Sequence, residues 1–455
     1  MSSSREEARP LAWLALLALA ACAVTLIFGL AAALTYTGFE DQLRSAGITL
    51  QHLRPIHAAS AFGWVFLGGV AIVYLYMYRT FGPFSPAVRR RIAWQVGLWA
   101  TAGIGIVITL LAGRFSGREY LGYHPVFAGL ILAGWVLFVW NFFGRGDCRL
   151  RGKPAYVYMW SVGIPFFLVT YTEGHLYLFD FVSARPLRDL AIQWKSAGTL
   201  VGSFNLLAYG ALMYISACIS GNERYAHSRT AFALFFIGLL NTFTNYGHHT
   251  YHLPQSPWIH WVSFVVSMLE TIILAKVFLD LIRAMRKTRA ADRPVNARLI
   301  RSGTLWTFLM LVIALAIAVP PLNALIHGTH VVVSHSMGAM IGIDSMILWA
   351  ALVCLLEEVV GPDHPTIGGH RFRVAIPMIN VFLLVFLLSY LARGAAVGWA
   401  RYLGASAPDP SPLLEAFPWI MVLAGLGLAV TLLWMILQWM AALVGALRGS
   451  SPVPS

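Results

Sequence analysis

The sequence predicts an all-α, polytopic membrane protein. Of its 455 residues, 58% are hydrophobic and only 11% are charged, and the mean hydropathy is +0.71. A soluble domain carries roughly a quarter charged residues. Apolar runs recur along the whole chain at the length a bilayer crossing needs, about 20 residues, and basic residues punctuate them unequally on the two sides.

About twelve such runs are present: 11–36, 54–79, 92–113, 122–143, 155–180, 193–219, 229–251, 257–283, 302–325, 327–357, 373–393 and 414–446. No stretch long enough for a soluble domain remains, so residues 1–455 are expected to form a single integral membrane domain. Leu-Ala-Ala-Cys ending at Cys22 looks slightly like a lipoprotein cleavage site. The apolar run continues unbroken to about Thr35, so an uncleaved first span is expected. The 16 tryptophans suit a protein that anchors many helix ends at two membrane interfaces.

Orientation follows from the positive-inside rule. The N-terminus and the loops after even-numbered runs carry Arg5 and Arg9, Arg89 to Arg91, Arg145, Arg149, Arg151 and Lys153. The same series adds Arg224 and Arg229, Arg283, Arg286, Lys287, Arg289 and Arg293, then Arg371 and Arg373. Tails 1–10 and 448–455 are therefore expected in the cytoplasm of a bacterial inner-membrane protein. The net charge of +13 is a topology signal and gives no reason to invoke nucleic acid.

Four cysteines, Cys22, Cys148, Cys218 and Cys354, stand far apart with no CxxC spacing. A zinc knuckle, an attached c-type haem and a disulfide framework are not indicated. Metal chemistry must rest on histidine.

With this topology His57 lies near the outer end of run two and His175 near that of run five. His248 and His249 end run seven, and His327, His330 and His335 begin run ten. A single intramembrane histidine has an ordinary reading as an interhelical hydrogen-bonding group. Seven at one face, drawn from four runs far apart in sequence, point to metal ligation. Positions two apart differ by about 200° around a helix, so His335 and Met337 project to opposite sides of run ten and can serve two cofactors. The alternative for Met337 is packing, since Met340 and Met346 follow and methionine commonly fills apolar gaps. Imidazole suits iron, copper or zinc. Haem iron takes His with His or Met for electron transfer, or one His where a gas must bind. Two haems and one further metal are the natural inventory.

These residues resemble the catalytic subunit of the haem-copper oxidase superfamily, and more closely that of the bacterial nitric oxide reductases, in a divergent cytochrome-c-dependent branch. The resemblance runs over roughly residues 10–445. Leu-Arg-Pro-Ile-His57 is similar to the low-spin haem ligand segment, and Gly-His248-His249 to the histidine pair of the non-haem metal. Pro254 to Trp258 and Ser267-Met-Leu-Glu270 resemble the nitric oxide reductase continuation, and His327-Gly-Thr-His330 with His335 the start of span ten. The resemblance implies two b-type haems, a low-spin one on His57 and a high-spin one on His335, beside a non-haem iron or copper.

Two departures stand out. Where the family has His-x-His, the second member here is Met337, so the low-spin haem takes Met337 or a displaced ligand such as His330, on nearly the same helix face. Span six usually supplies a third metal histidine, with a nearby Glu in nitric oxide reductases. Here Trp194 to Asn205 supplies neither. The candidates to replace them are Glu173 and His175 at the end of run five and Asn205 within run six, with His175 expected as metal ligand and Glu173 and Asn205 as catalytic groups. Glu173 has a structural alternative, an ion pair with Arg185 or Lys195.

Oxygen reductases of the superfamily carry a redox tyrosine near the metal. In their C-type branch it lies about six residues before the histidine pair, where this chain has Thr242. That favours nitric oxide, reduced to nitrous oxide, over oxygen. The chain has no electron-carrying domain of its own, so a periplasmic donor subunit with a c-type haem or a cupredoxin-like copper centre is implied. A transporter or a haem-handling membrane protein is the competing class.

Overall fold

The computed structural model describes residues 2–116, 118, 120–145, 149–251, 253–286, 294–406 and 412–449. Cys148, Lys287, Arg289, Arg293 and the end of the C-terminal tail beyond 449 lie outside the described residues.

Twelve helices correspond run by run to the twelve apolar segments: α1 (Ser2–Leu34), α2 (Leu50–Phe81), α3 (Pro86–Leu111), α4 (Pro125–Arg145), α5 (Ala155–Glu173) and α6 (Pro186–Ser220). They continue with α7 (Arg229–Thr244), α8 (Pro257–Arg286), α9 (Pro294–Ala318), α10 (His330–Val360), α11 (His370–Tyr402) and α12 (Pro412–Arg448). Ten of them are long and apolar enough to cross a membrane among the described residues; α7 is apolar but shorter, and α5 is a 19-residue helix outside that set. A spanning segment must satisfy its own backbone donors and acceptors, and a helix does so.

Local signals set the helix starts. Pro86 and Pro186 open their helices, where the missing N–H costs nothing. Ser85 Oγ accepts from the Val88 N–H, and Ser228 Oγ from the Ala231 N–H, capping α3 and α7. Thr329 Oγ1 accepts the Val331 N–H at the head of α10. Within α10, residues Gly338–Ser345 form a π-helical stretch that begins immediately after Met337.

Sequential antiparallel neighbours pack together, α1 along α2, α3 on α4, α5 on α6 and α11 on α12, with α12 closing back on α1. The enclosed centre is built by α6 and α10, each 83% buried over its central window. Buried polar ties cross between helices. Tyr74 Oη donates to Gln95 Oε1 at 2.7 Å, and Asn141 Nδ2 donates to Tyr74 Oη at 2.9 Å. Trp64 Nε1 donates to Ser345 Oγ at 2.8 Å, joining α2 to α10. Such bonds are worth about 0.6 kcal/mol on average between membrane helices.

Arg9 donates to the Leu447 carbonyl, so α1 begins beside the end of α12. Both ends lie at one face, as an even number of crossings requires. The starts of α2 and α10 and the end of α7 then lie at the other face, which is where the sequence places its histidines.

Candidate haem and metal centre

On α2, His57 Nδ1 donates to the Thr25 carbonyl of α1 at 2.9 Å. A carbonyl only accepts, so this bond fixes the tautomer and leaves Nε2 as the nitrogen with a lone pair, the form in which histidine ligates a metal. The contact depends on Gly29, one turn along α1 from Thr25, because a Cβ there would stand 2.6 Å from His57 Nδ1. His57 therefore fits an axial haem ligand held from behind.

At the head of α10, the His335 ring is enclosed, with Nδ1 buried beside the Met310 carbonyl. Met337, two residues on, is partly buried against the hydrophobic core. His330 points into an aromatic enclosure. Its ring centroid is 5.4 Å from Tyr390, 5.2 Å from Phe417 and 6.3 Å from Tyr36. Tyr390 belongs to α11 and Phe417 to α12, so this histidine engages the helices flanking α10.

After α7 the chain makes a short helical turn, Tyr246–His249, that carries the pair. The rings of His248 and His249 lie 4.3 Å apart between centroids, inclined at 49°. The His248 N–H donates to Ser263 Oγ at 3.0 Å. His248 Nδ1 lies 3.2 Å from Ser263 Oγ and 3.3 Å from Ser267 Oγ, both on α8. His249 stacks on Trp194 of α6, with the planes 5° apart. His335 is an electrostatic neighbour of both members of the pair, and His327 of His249. The fold thus brings the turn after α7 near the head of α10, although the sequence separates them by more than 70 positions.

Behind His248 runs a polar chain. Ser267 Oγ donates to Asn241 Oδ1 at 3.0 Å, and Asn241 Nδ2 donates to the Glu270 carboxylate. Glu270 is only 8% exposed. It and Asp344 of α10 are electrostatic neighbours of the buried Tyr209 of α6. An imidazole nitrogen, a hydroxyl, an amide and a carboxylate are linked in series inside an otherwise apolar bundle, which makes these groups functional candidates.

The structure places the remaining expected site residues elsewhere. His175 sits just after α5, with Nδ1 donating to the Tyr171 carbonyl at 2.8 Å and Nε2 buried without a partner among the described residues. Its ring neighbours are Tyr171 and Tyr177. Glu173 is ion-paired with Lys195, one of its two structural alternatives. Asn205 is half-buried on α6, seven positions past Gly198 and so about two turns further along the same face. Among the described residues no three His, Cys, Asp or Glu side chains gather as a metal cage. The histidine pair fits a metal as two adjacent imidazoles, and no three-histidine set is assembled among the described residues.

Sequence reading passed over Asn241 and Asn245, which sit on α7 and at its end ahead of the pair. Asn245 Nδ2 donates to the Gly198 carbonyl at 3.1 Å. Trp194 lies in a stretch that supplies no ligand, yet it forms one wall of His249.

Three comparisons extend this picture. The family described as cytochrome C and quinol oxidase polypeptide I matches residues 9–427. The cbb3-type cytochrome c oxidase subunit CcoN1 of Stutzerimonas stutzeri is 24% identical over 335 residues, covering 69% of this chain and 67% of the relative. A chain from a cryo-electron-microscopy structure of a heme-copper terminal oxidase dimer superposes with a TM-score of 0.75 at 13% identity. That match covers 98% of this chain and 84% of the other, and at such identity it is a likeness of fold.

Proposed function

Because this chain belongs to the cytochrome c and quinol oxidase polypeptide I family, we propose that it is the haem-bearing catalytic subunit of a membrane reductase that converts nitric oxide to nitrous oxide. Two nitric oxide molecules, two electrons and two protons give one nitrous oxide and one water.

The observation that carries the choice of gas is Thr242. At the position where the oxygen-reducing C-type branch has its tyrosine, this threonine packs its side chain onto Gly202 of α6. The ring stacked on His249 is that of Trp194. Two-electron reduction of nitric oxide needs no fourth electron from a tyrosine. Oxygen is the second reading, favoured by the name of the S. stutzeri relative, a cytochrome c oxidase subunit.

In this reading His57 and Met337 hold a low-spin b haem, His335 a high-spin b haem, and His248 and His249 a non-haem iron or copper. When bound, these groups supply one-electron storage, an open position for the gas, and a positive charge that stabilises negative charge developing on it. The protein does the rest. Thr25 orients His57, Ser263 and Ser267 hold the Nδ1 edge of His248, and Trp194 fixes the plane of His249. Glu270 is the buried acid that supplies protons beside the pair, held in place by the Asn241 amide that donates to its carboxylate and accepts from Ser267, a role that suits it better than the lysine-paired Glu173. Electrons enter from a partner subunit with a c-type haem or a copper centre at the outer face, both termini face the cytoplasm, and the membrane is a bacterial inner membrane.

The deciding experiment supplies the reduced, purified protein with each gas. Nitric oxide uptake with matching nitrous oxide by mass spectrometry is expected. Oxygen uptake without nitric oxide uptake overturns the proposal in favour of the second reading. An optical spectrum lacking two b-type haems rejects both and leaves a transporter or a haem-handling protein.

A further inference from the structure

Asn245 is one helical turn before the pair, three positions from His248 and four from His249, so its side chain lies on their side of the turn. It is only 6% exposed. Its amide is half satisfied: Nδ2 donates to the Gly198 carbonyl, whereas Oδ1 is buried with no hydrogen-bond partner among the described residues. A buried acceptor left unsatisfied costs about 1–3 kcal/mol. In a native fold such an atom calls for a specific partner, an ion included.

The opposing helix has made room for this amide. A Cβ at position 198 would stand 2.5 Å from Asn245 Oδ1 and 3.5 Å from the Tyr246 nitrogen, so the amide oxygen occupies the start of the path that a side chain at 198 would take. Four positions earlier on α6, Trp194 stacks on His249. Four positions later, Gly202 receives Thr242. Trp194, Gly198 and Gly202 therefore meet His249, Asn245 and Thr242 in register, and the layer directly beside the histidine pair is filled by Asn245. His175, Nδ1-bonded to the Tyr171 carbonyl and walled by tyrosine rings, is not gathered with the pair.

We infer that Asn245 Oδ1 is the third protein donor of the metal held by His248 and His249, making a two-imidazole, one-amide-oxygen site. The inference rests on the reading of the pair as metal ligands and deepens it. Two imidazoles with a neutral oxygen form a harder donor set than three imidazoles, and such mixed nitrogen and oxygen sets suit non-haem iron(II). The metal is therefore iron rather than copper, and the site keeps open positions for exchangeable ligands.

The test is metal analysis of the purified full-length protein together with its reduced optical spectrum, so that haem content reports the fold. In the unmodified protein we expect three irons for two haems and no stoichiometric copper. Asn245→Ala should lose non-haem iron by at least about 10-fold with both haems retained, Asn245→Asp should keep it, and His175→Ala should leave it unchanged. Full iron in Asn245→Ala, or its loss in His175→Ala, overturns the inference while leaving the pair as ligands. If Asn245→Ala also loses its haems, the Asn245→Asp protein decides: an anionic ligand must alter the Mössbauer parameters of the non-haem iron, and unchanged parameters overturn the inference. Stoichiometric copper overturns the choice of donor set, and no third metal in the unmodified protein overturns both this inference and the reading of the pair.

Discussion

His57 of α2 and Thr25 of α1 are joined by a 2.9 Å hydrogen bond from imidazole Nδ1 to backbone carbonyl, at a crossing that position 29 must leave open. The bond fixes which ring nitrogen is left with a free lone pair, and the glycine fixes how closely the two helices approach. Helix proximity and ligand orientation are here a single property.

Enlarging Gly29 should therefore act on a haem that it does not touch. Gly29→Ala places a methyl 2.6 Å from His57 Nδ1, and overpacking of this kind costs about 1–3 kcal/mol. The low-spin haem is expected to fall in occupancy or turn high-spin, read from the reduced α-band, with the metal at the pair unchanged. A normal low-spin spectrum in Gly29→Val would show that His57 is not an axial ligand.

Met337→Leu removes the sulfur but keeps the packing volume against the core. The low-spin haem should become five-coordinate and high-spin, visible by electron paramagnetic resonance. Met337→His should restore the low-spin state at a lower midpoint potential, because thioether ligation raises that potential. If Met337→Leu stays low-spin, the ligand is His330, and His330→Ala should abolish the signal.

Glu270→Gln keeps a hydrogen-bonding group beside Asn241 but removes the exchangeable acid. Turnover is expected to drop by about 100-fold or more, the lower range for a lost general acid–base group, while haem and metal contents stay normal. Asn241→Leu, which cuts the chain between Ser267 and Glu270, should give the same kinetic loss. Turnover equal to that of the unmodified protein in both variants would rule out Glu270 as the proton source.

Glu173→Gln is expected to behave differently. Its partner Lys195 is 39% exposed, and pairs of this kind contribute about 0–1 kcal/mol. Turnover should stay within a few-fold of the unmodified protein. A loss as deep as that of Glu270→Gln would return Glu173 to the catalytic role that its place in Thr-Glu-Gly-His first suggests.

The number of helices and the common depth of the histidines were legible because both depend on local pattern: about twenty apolar residues per crossing, and the offset of each histidine from a run's end. The pair His248-His249 was legible because adjacency is written in the chain. What lay beyond reach depends on two helices at once. Gly198 and Gly202 read as neutral helix residues until Asn245 and Thr242 are seen packed on them, and an Asn ahead of Tyr-Gly-His-His reads as the end of a helix. Asn241 had no signal at all, since its meaning comes from Ser267 and Glu270 on α8. The expectation that His175 reaches the pair rested on depth alone, and depth says nothing about the direction in which a ring faces.

The wide turns that follow Met337 take up an extra residue without re-aiming the end of α10 that carries His335 and Met337. Each residue of an ordinary helix turns the chain by about 100°, whereas a π-helical segment holds an additional residue within the same rise. Excising a single amino acid between Gly338 and Ser345 would let that segment relax to regular winding. The buried half of α10 from Met346 onward would keep its grip on α2 and α6, and His335 and Met337 would keep their bearing, because a wide turn and an ordinary turn sweep the same full circle. A one-codon deletion there is expected to leave the haem spectra near normal, whereas the same deletion in the regularly wound part of α10 after Met346 should turn both side chains by about 100° and disorder those spectra.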